Sequence, residues 1–142
     1  MECRKYGDRF MLRLEVGEEI IGTIKEFCKL HGIGSGKVTG IGVLRKAQIS
    51  YFDLALRDYH HREISEYVEL TSLMGNISIM EGEVFPHLHV TLCDANFNTF
   101  GGHLSAGEIG VTGELFIEPF DEKIERKLYQ ETGFRLLVLE ED

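Results

Sequence analysis

Basic charge is scarce in this chain. Lysine and arginine number 15 against 24 acidic residues in 142, for a formal net charge of -9 at pH 7. A grip on a nucleic-acid backbone needs basic side chains gathered on one face. The densest basic group, Arg45-Lys46, holds only two charges. With Arg57 these are the first candidates for a local basic patch, and the isolated chain is expected to bind DNA weakly or not at all. Cysteine is sparse too. Cys3, Cys28 and Cys93 are odd in number, widely spaced and without a Cys-x-x-Cys pair, the pattern of unpaired thiols in a reducing compartment. No apolar run approaches the ~18 residues of a membrane span. The start, MECRKYGDRF, lacks the apolar stretch of a signal peptide. A cytoplasmic protein without membrane association is expected.

What the chain does have is the make-up of an ordinary globular domain, 43% hydrophobic and 27% charged. Its length suits one domain, taken as 1–142, and is enough to enclose a core. Phe10 to Leu14 reads as a short strand. Gly17-Glu18-Glu19 opens a helix, with its acids in the first turn where the helix dipole favours them. Ile20, Ile24, Phe27 and Cys28 form its apolar stripe, and Gly32 is placed to stop it. Residues 35–52 read as one or two strands, in which Gly36, Gly40 and Gly42 are taken as marks of a bulge rather than of close backbone approach. Residues 53–62 read as a solvated loop, where His60 and His61 point to opposite sides and cannot chelate one ion together.

From there strands follow closely at 67–75, 76–84, 87–93, 100–105 and 111–119, separated by short turn-forming links. Asp121 to Gln130 reads as a short helix and Phe134 to Leu139 as a last strand. The expected fold class is α+β, a mainly antiparallel sheet with one main helix packed on it.

The segment PHLHVTLCDANFNTFGGHLS carries the chemistry. Residues two apart on a strand share a face, so His87 and His89 project together. Asp94 to Asn98 form a five-residue loop of turn formers. Pairing Cys93 with Thr99 then sets His89 opposite His103, on one face. The other parity gathers Leu88, Val90, Leu92, Phe100 and Leu104 into an apolar face. One register thus yields both faces, and a slip by one residue destroys both. Three imidazoles so placed can converge on one transition metal at ~2.0–2.1 Å, zinc before iron, copper or nickel, and leave a fourth position open. Cys93 lies ~13 Å from His89 along the strand and is a poor fourth ligand. Gly101-Gly102 leaves room beside the cluster. Glu69 and Glu114 each alternate with apolar neighbours, and are the candidates for a catalytic acid or base on the histidine face.

These motifs, in this order, resemble the PPC (plants and prokaryotes conserved) domain over nearly the whole chain. Gly17-Glu18-Glu19 is similar to its helix start, Val38 to Leu44 to its glycine-containing strand, and Glu69 to Gly75 to a third motif. Most specific are His87-x-His89 and Gly101-Gly102-His103, followed by Thr112-x-Glu114 and Thr132-Gly133. The resemblance implies an α+β homotrimer with a metal on these three histidines in prokaryotic members. Plant members carry an AT-hook with an Arg-Gly-Arg-Pro core, and no such segment occurs here. More distantly, the histidine pattern resembles acetolactate decarboxylase, a zinc lyase, and that fold is expected. Three functions follow: a metal-binding trimer for a small ligand or partner, a zinc-dependent lyase or hydrolase on a small carbonyl or carboxylate substrate, or a DNA-binding regulator.

Overall fold

Alternation is plain in the second strand: Leu12 and Leu14 are fully buried while Arg13 between them is exposed, as in a strand with one covered face. The computed structural model describes residues 1–139. In chain order these form β1 (Glu2–Tyr6), β2 (Arg9–Leu14), α1 (Ile20–His31), β3 (Gly36–Asp53), β4 (Asp58–Ile64), β5 (Val68–Met80), β6 (Glu83–Cys93), β7 (Thr99–Pro119), β8 (Glu125–Tyr129) and β9 (Phe134–Leu137). The class is α+β, a mainly antiparallel sheet with one helix.

The helix begins one step later than Gly17-Glu18-Glu19 suggested. Glu19 is its N-cap, in extended conformation, accepting a hydrogen bond from the Gly22 amide at 2.6 Å; capping satisfies an amide that the helix itself cannot. Gly32 ends it with φ 67°, a left-handed conformation that costs glycine little. Ile20, Ile24, Phe27 and Cys28 are buried, as the stripe required.

The long strands close on themselves. β3 pairs with β5 and β7, and β6 pairs with the same two, so β3–β5–β6–β7 form a ring that leaves those strands few free edges. β7 is one strand of 21 residues, where two were expected. Register shifts bend it at several points along β3. It pairs with β6 through Thr99–His103 and with β3 from His103 to Pro119. His103 therefore stands at the crossing, opposite His89 on one side and Ser50 on the other.

Gly40 and Gly42 flank a bulge, as expected, yet close approach is equally real. A Cβ would meet the Glu114 carbonyl oxygen at 2.8 Å from Gly40, and that of Thr112 at 2.4 Å from Gly42. The alternative set aside from sequence holds alongside the preferred one.

Two further expectations are corrected. Residues 58–64 are a strand, not a loop, because β3 runs on to Asp53 and offers them a complete edge. His60 and His61 do face opposite ways, toward Asp53 and Ser50 respectively. Residues 121–130 hold strand β8, not a helix. β3 begins opposite Ile77, which leaves the edge of β5 open beyond that point. β8 fills it, pairing in parallel at Ile79 and Met80, with β9 folded back on it. A charged segment without strong periodicity takes the conformation its neighbour's free hydrogen-bonding groups dictate.

Candidate metal centre

The β6–β7 hairpin has the register the side-chain parity demands, Cys93 opposite Thr99 and His89 opposite His103. One face is apolar: Leu88, Leu92 and Leu104 are almost wholly buried, with Val90 beside them and Phe100 packed at the margin. The other face carries the histidines. The ring centroids lie 5.2 Å apart for His87–His89 and His87–His103, and 5.6 Å for His89–His103. One nitrogen from each ring falls within 4.8 Å of the other two. A tetrahedral ion at ~2.0–2.1 Å would need them about 3.4 Å apart, a closure that small rotations of the imidazoles supply.

The donor set fits a transition metal on chemical grounds. Neutral imidazole is the ligand form, and burial, reinforced by the guanidinium of Arg126 and by the two other rings, pushes His87 down to about 4. His103 is lowered as well, by burial and then by His89. Both are unprotonated near neutrality. Cys93 takes no part in the cluster.

Gly101 and Gly102 serve a different purpose from the one read in the sequence. A Cβ on Gly101 would meet the Val90 carbonyl oxygen at 2.2 Å, and one on Gly102 the Ser50 carbonyl oxygen at 2.7 Å. They are needed because β3, β6 and β7 approach closely at the crossing. Room for an ion is not what demands them.

Glu69 and Glu114 do come together, but elsewhere. Both line a shallow groove with Ile41, Val43 and Thr112, near the far end of β6, where Glu69 pairs with Cys93. The cavity at His87 and His103 is a different one. The basic candidates scatter too: Arg45 and Lys46 both pair with Glu108, while Arg57 lies at the rim of the histidine cavity.

Sequence reasoning missed Arg126. It projects from β8, the segment mistaken for a helix, and its Nη2 lies 3.3 Å from the Nδ1 of His87. It donates to Ser78 Oγ at 2.9 Å, to Asn76 Oδ1 at 3.0 Å and to the Arg135 carbonyl at 3.0 Å. Asn76 is the β5 residue paired with His87. No spacing in the sequence signals this contact, since 39 residues separate Arg126 from His87.

An α+β ring of antiparallel strands, carrying three convergent histidines on one hairpin, defines a class of small proteins with a metal-type site. Residues 1–121 match the Plants and Prokaryotes Conserved (PCC) domain. The chain belongs to that family. No curated protein matches it. Among solved structures, a plant- and prokaryote-conserved protein from Pyrococcus horikoshii is 36% identical with a TM-score of 0.86, over 99% of this chain and 95% of that one. A metal-containing protein from Archaeoglobus fulgidus is 34% identical with a TM-score of 0.86, over 95% and 96%. A candidate DNA-binding protein from Bacteroides thetaiotaomicron is 28% identical with a TM-score of 0.93, over 96% of both chains. No helix among the described residues is long and apolar enough to cross a membrane.

Proposed function

We propose that this chain is a metal-binding protein that holds one zinc ion on His87, His89 and His103 and presents it to a small-molecule ligand. The observation that carries the proposal is the convergence of one nitrogen from each ring within 4.8 Å, on a hairpin whose opposite face is locked into the core. The neighbour from Archaeoglobus fulgidus, named metal-containing, supports it at 34% identity. Zinc is the metal of choice for three neutral imidazoles with an open fourth position, and copper, iron and nickel are its competitors.

The competing function, a zinc-dependent lyase or hydrolase, calls for a group that moves protons beside the metal. Glu69 and Glu114, the carboxylates considered for that task, line another groove, and among the described residues no carboxylate lines the histidine cavity. A binding role accords better with that wall. We assign the protein to the cytoplasm, where Cys3, Cys28 and Cys93 stay as thiols.

The working form is a homotrimer. The family resemblance is joined here by an outward face of β2, β7 and β3 on which Ile41 and Phe116 are about half exposed. Thr112 on the same face buries its hydroxyl without a hydrogen-bond partner among the described residues. Apolar surface beside an unpaired polar atom suits burial against a second copy.

Elemental analysis of protein purified without a histidine tag tests the metal assignment. About one zinc per chain is expected, and loss of that zinc in His89→Ala. Unchanged metal content in that variant would refute the site.

A further inference from the structure

The cavity beside His87 and His103 has a charge at odds with the rest of the molecule. Against a formal net charge of -9 for the chain, its lining includes Arg57, Arg126 and Arg135 and, among the described residues, no acid. Arg135 is answered by Glu81. Arg126, half-buried, has no carboxylate within 4 Å among the described residues; its acceptors are a hydroxyl, an amide oxygen, a backbone carbonyl and His87. A guanidinium drawn out of water with only neutral partners is electrostatically unfinished. An apolar stretch of the wall is formed by Phe52 and Phe134, edge to face with ring centroids 4.6 Å apart, and by Met80, Phe85 and Leu136, while Tyr59, Gln130 and Thr132 add neutral polar groups. The volume, about 560 Å³, is that of a small-molecule pocket.

The contact between Arg126 and His87 adds a second, independent consideration. A guanidinium only donates, and a neutral imidazole has a single lone-pair nitrogen. The Nδ1 facing Arg126 is therefore that nitrogen when no metal is bound. Giving an imidazole lone pair to a metal ends this hydrogen bond, whichever ring nitrogen is the ligand. Either Nδ1 turns its lone pair to the ion, or it carries the proton and faces another donor. An N–H of Arg126 is then left without an acceptor beside a dication and three neutral rings. An oxyanion supplies the missing acceptor and the missing negative charge together.

Resting on the metal assignment for one of its two anchors, we propose that the cavity binds a small organic oxyanion, a carboxylate or phosphate head on an apolar body. Its head lies between Arg126 and the three-histidine centre, and its body lies against Phe52, Phe85 and Phe134. Arg126 is the specificity residue: its planar fork suits two oxygens of one head group. Arg57, at the exposed rim, draws the anion in.

Calorimetric titration with phenylacetate, phenyl phosphate and neutral 2-phenylethanol, on zinc-loaded and metal-stripped protein, tests the proposal. At least one anion is expected to bind the zinc-loaded chain tenfold or more tightly than the alcohol, and the better of the two identifies the head group. Arg126→Gln should keep about one zinc per chain and lose that tenfold preference; Arg57→Gln, whose side chain makes no internal hydrogen bond among the described residues, should lose a smaller part of it. An Arg126→Gln protein that no longer folds leaves Arg57→Gln and the alcohol comparison to decide. Equal affinity for anion and alcohol, or an undiminished preference in every folded arginine variant, would overturn the proposal. A chain that takes up no zinc contradicts the metal assignment alone, because arginine-dependent anion binding by the stripped protein still supports the pocket and its absence still sinks it.

Discussion

Gly75 on β5 lies so close to His87 on β6 that a Cβ on it would stand 1.9 Å from the His87 carbonyl oxygen. The two strands are pressed together just where the first histidine leaves its backbone, and nothing larger than hydrogen fits between them. Gly75→Ala should push β6 away from β5, lowering stability by about 1–3 kcal/mol. The shift also carries His87 out of line with its partners, so zinc affinity should fall at least tenfold. Urea unfolding and competitive zinc titration would read both, and an alanine variant with wild-type zinc affinity would contradict the placement.

Leu88 and His89 are neighbours with opposite fates. Leu88 is fully buried and His89 is exposed. Leu88→Ala should cost about 2–5 kcal/mol, as large-to-small changes in a packed core do. His89→Ala in metal-stripped protein should cost little and remove zinc binding. Similar unfolding midpoints for the two stripped variants would show that the faces have been assigned the wrong way round.

Acid should weaken the metal-free fold through His87. Its native value is about 4 against 6.5 for the free group. Between those values the unfolded chain holds more protons, so stability rises with pH across that window. The contribution is complete above about pH 6.5 and is lost as pH falls toward about 4. Unfolding midpoints at pH 7 and pH 5 should therefore differ more for stripped wild type than for stripped His87→Gln. Equal differences would remove His87 as the source.

Light scattering at micromolar concentration should give three times the chain mass. Phe116→Asp, placing a charge on the proposed contact face, should shift the protein toward monomer while leaving zinc content unchanged. A monomeric wild type would contradict the trimer.

Duplex DNA should bind weakly or not at all at ~150 mM salt. Counterion release needs clustered cations, and Arg45 and Lys46 are already answered by Glu108. Fluorescence anisotropy with AT-rich and mixed duplexes, repeated at lower salt, measures this. Sub-micromolar binding with a steep salt dependence would restore a role in DNA regulation.

The hairpin of histidines was legible in the sequence because its information is local. Period-two alternation, a five-residue loop and the parity of Leu88, Val90, Leu92 and Leu104 determine a single register, and His87, His89 and His103 follow from it. Helix α1 was legible for a similar reason, an apolar stripe ending at Gly32. The closure of β3, β5, β6 and β7 into a ring was not, because pairing between strands far apart in the chain leaves no local periodic trace. The same holds for β8, whose charges suggested a helix until the open edge of β5 claimed it. Glu69 and Glu114 had the right alternation for the histidine face, yet they sit in another groove, since parity gives the side of a strand and not the position along a bent and closed sheet. Thus the sequence alone determined which three side chains share a face. Tertiary structure decided what stands opposite them, because Arg126 reaches His87 only through a parallel pairing that long-range packing creates.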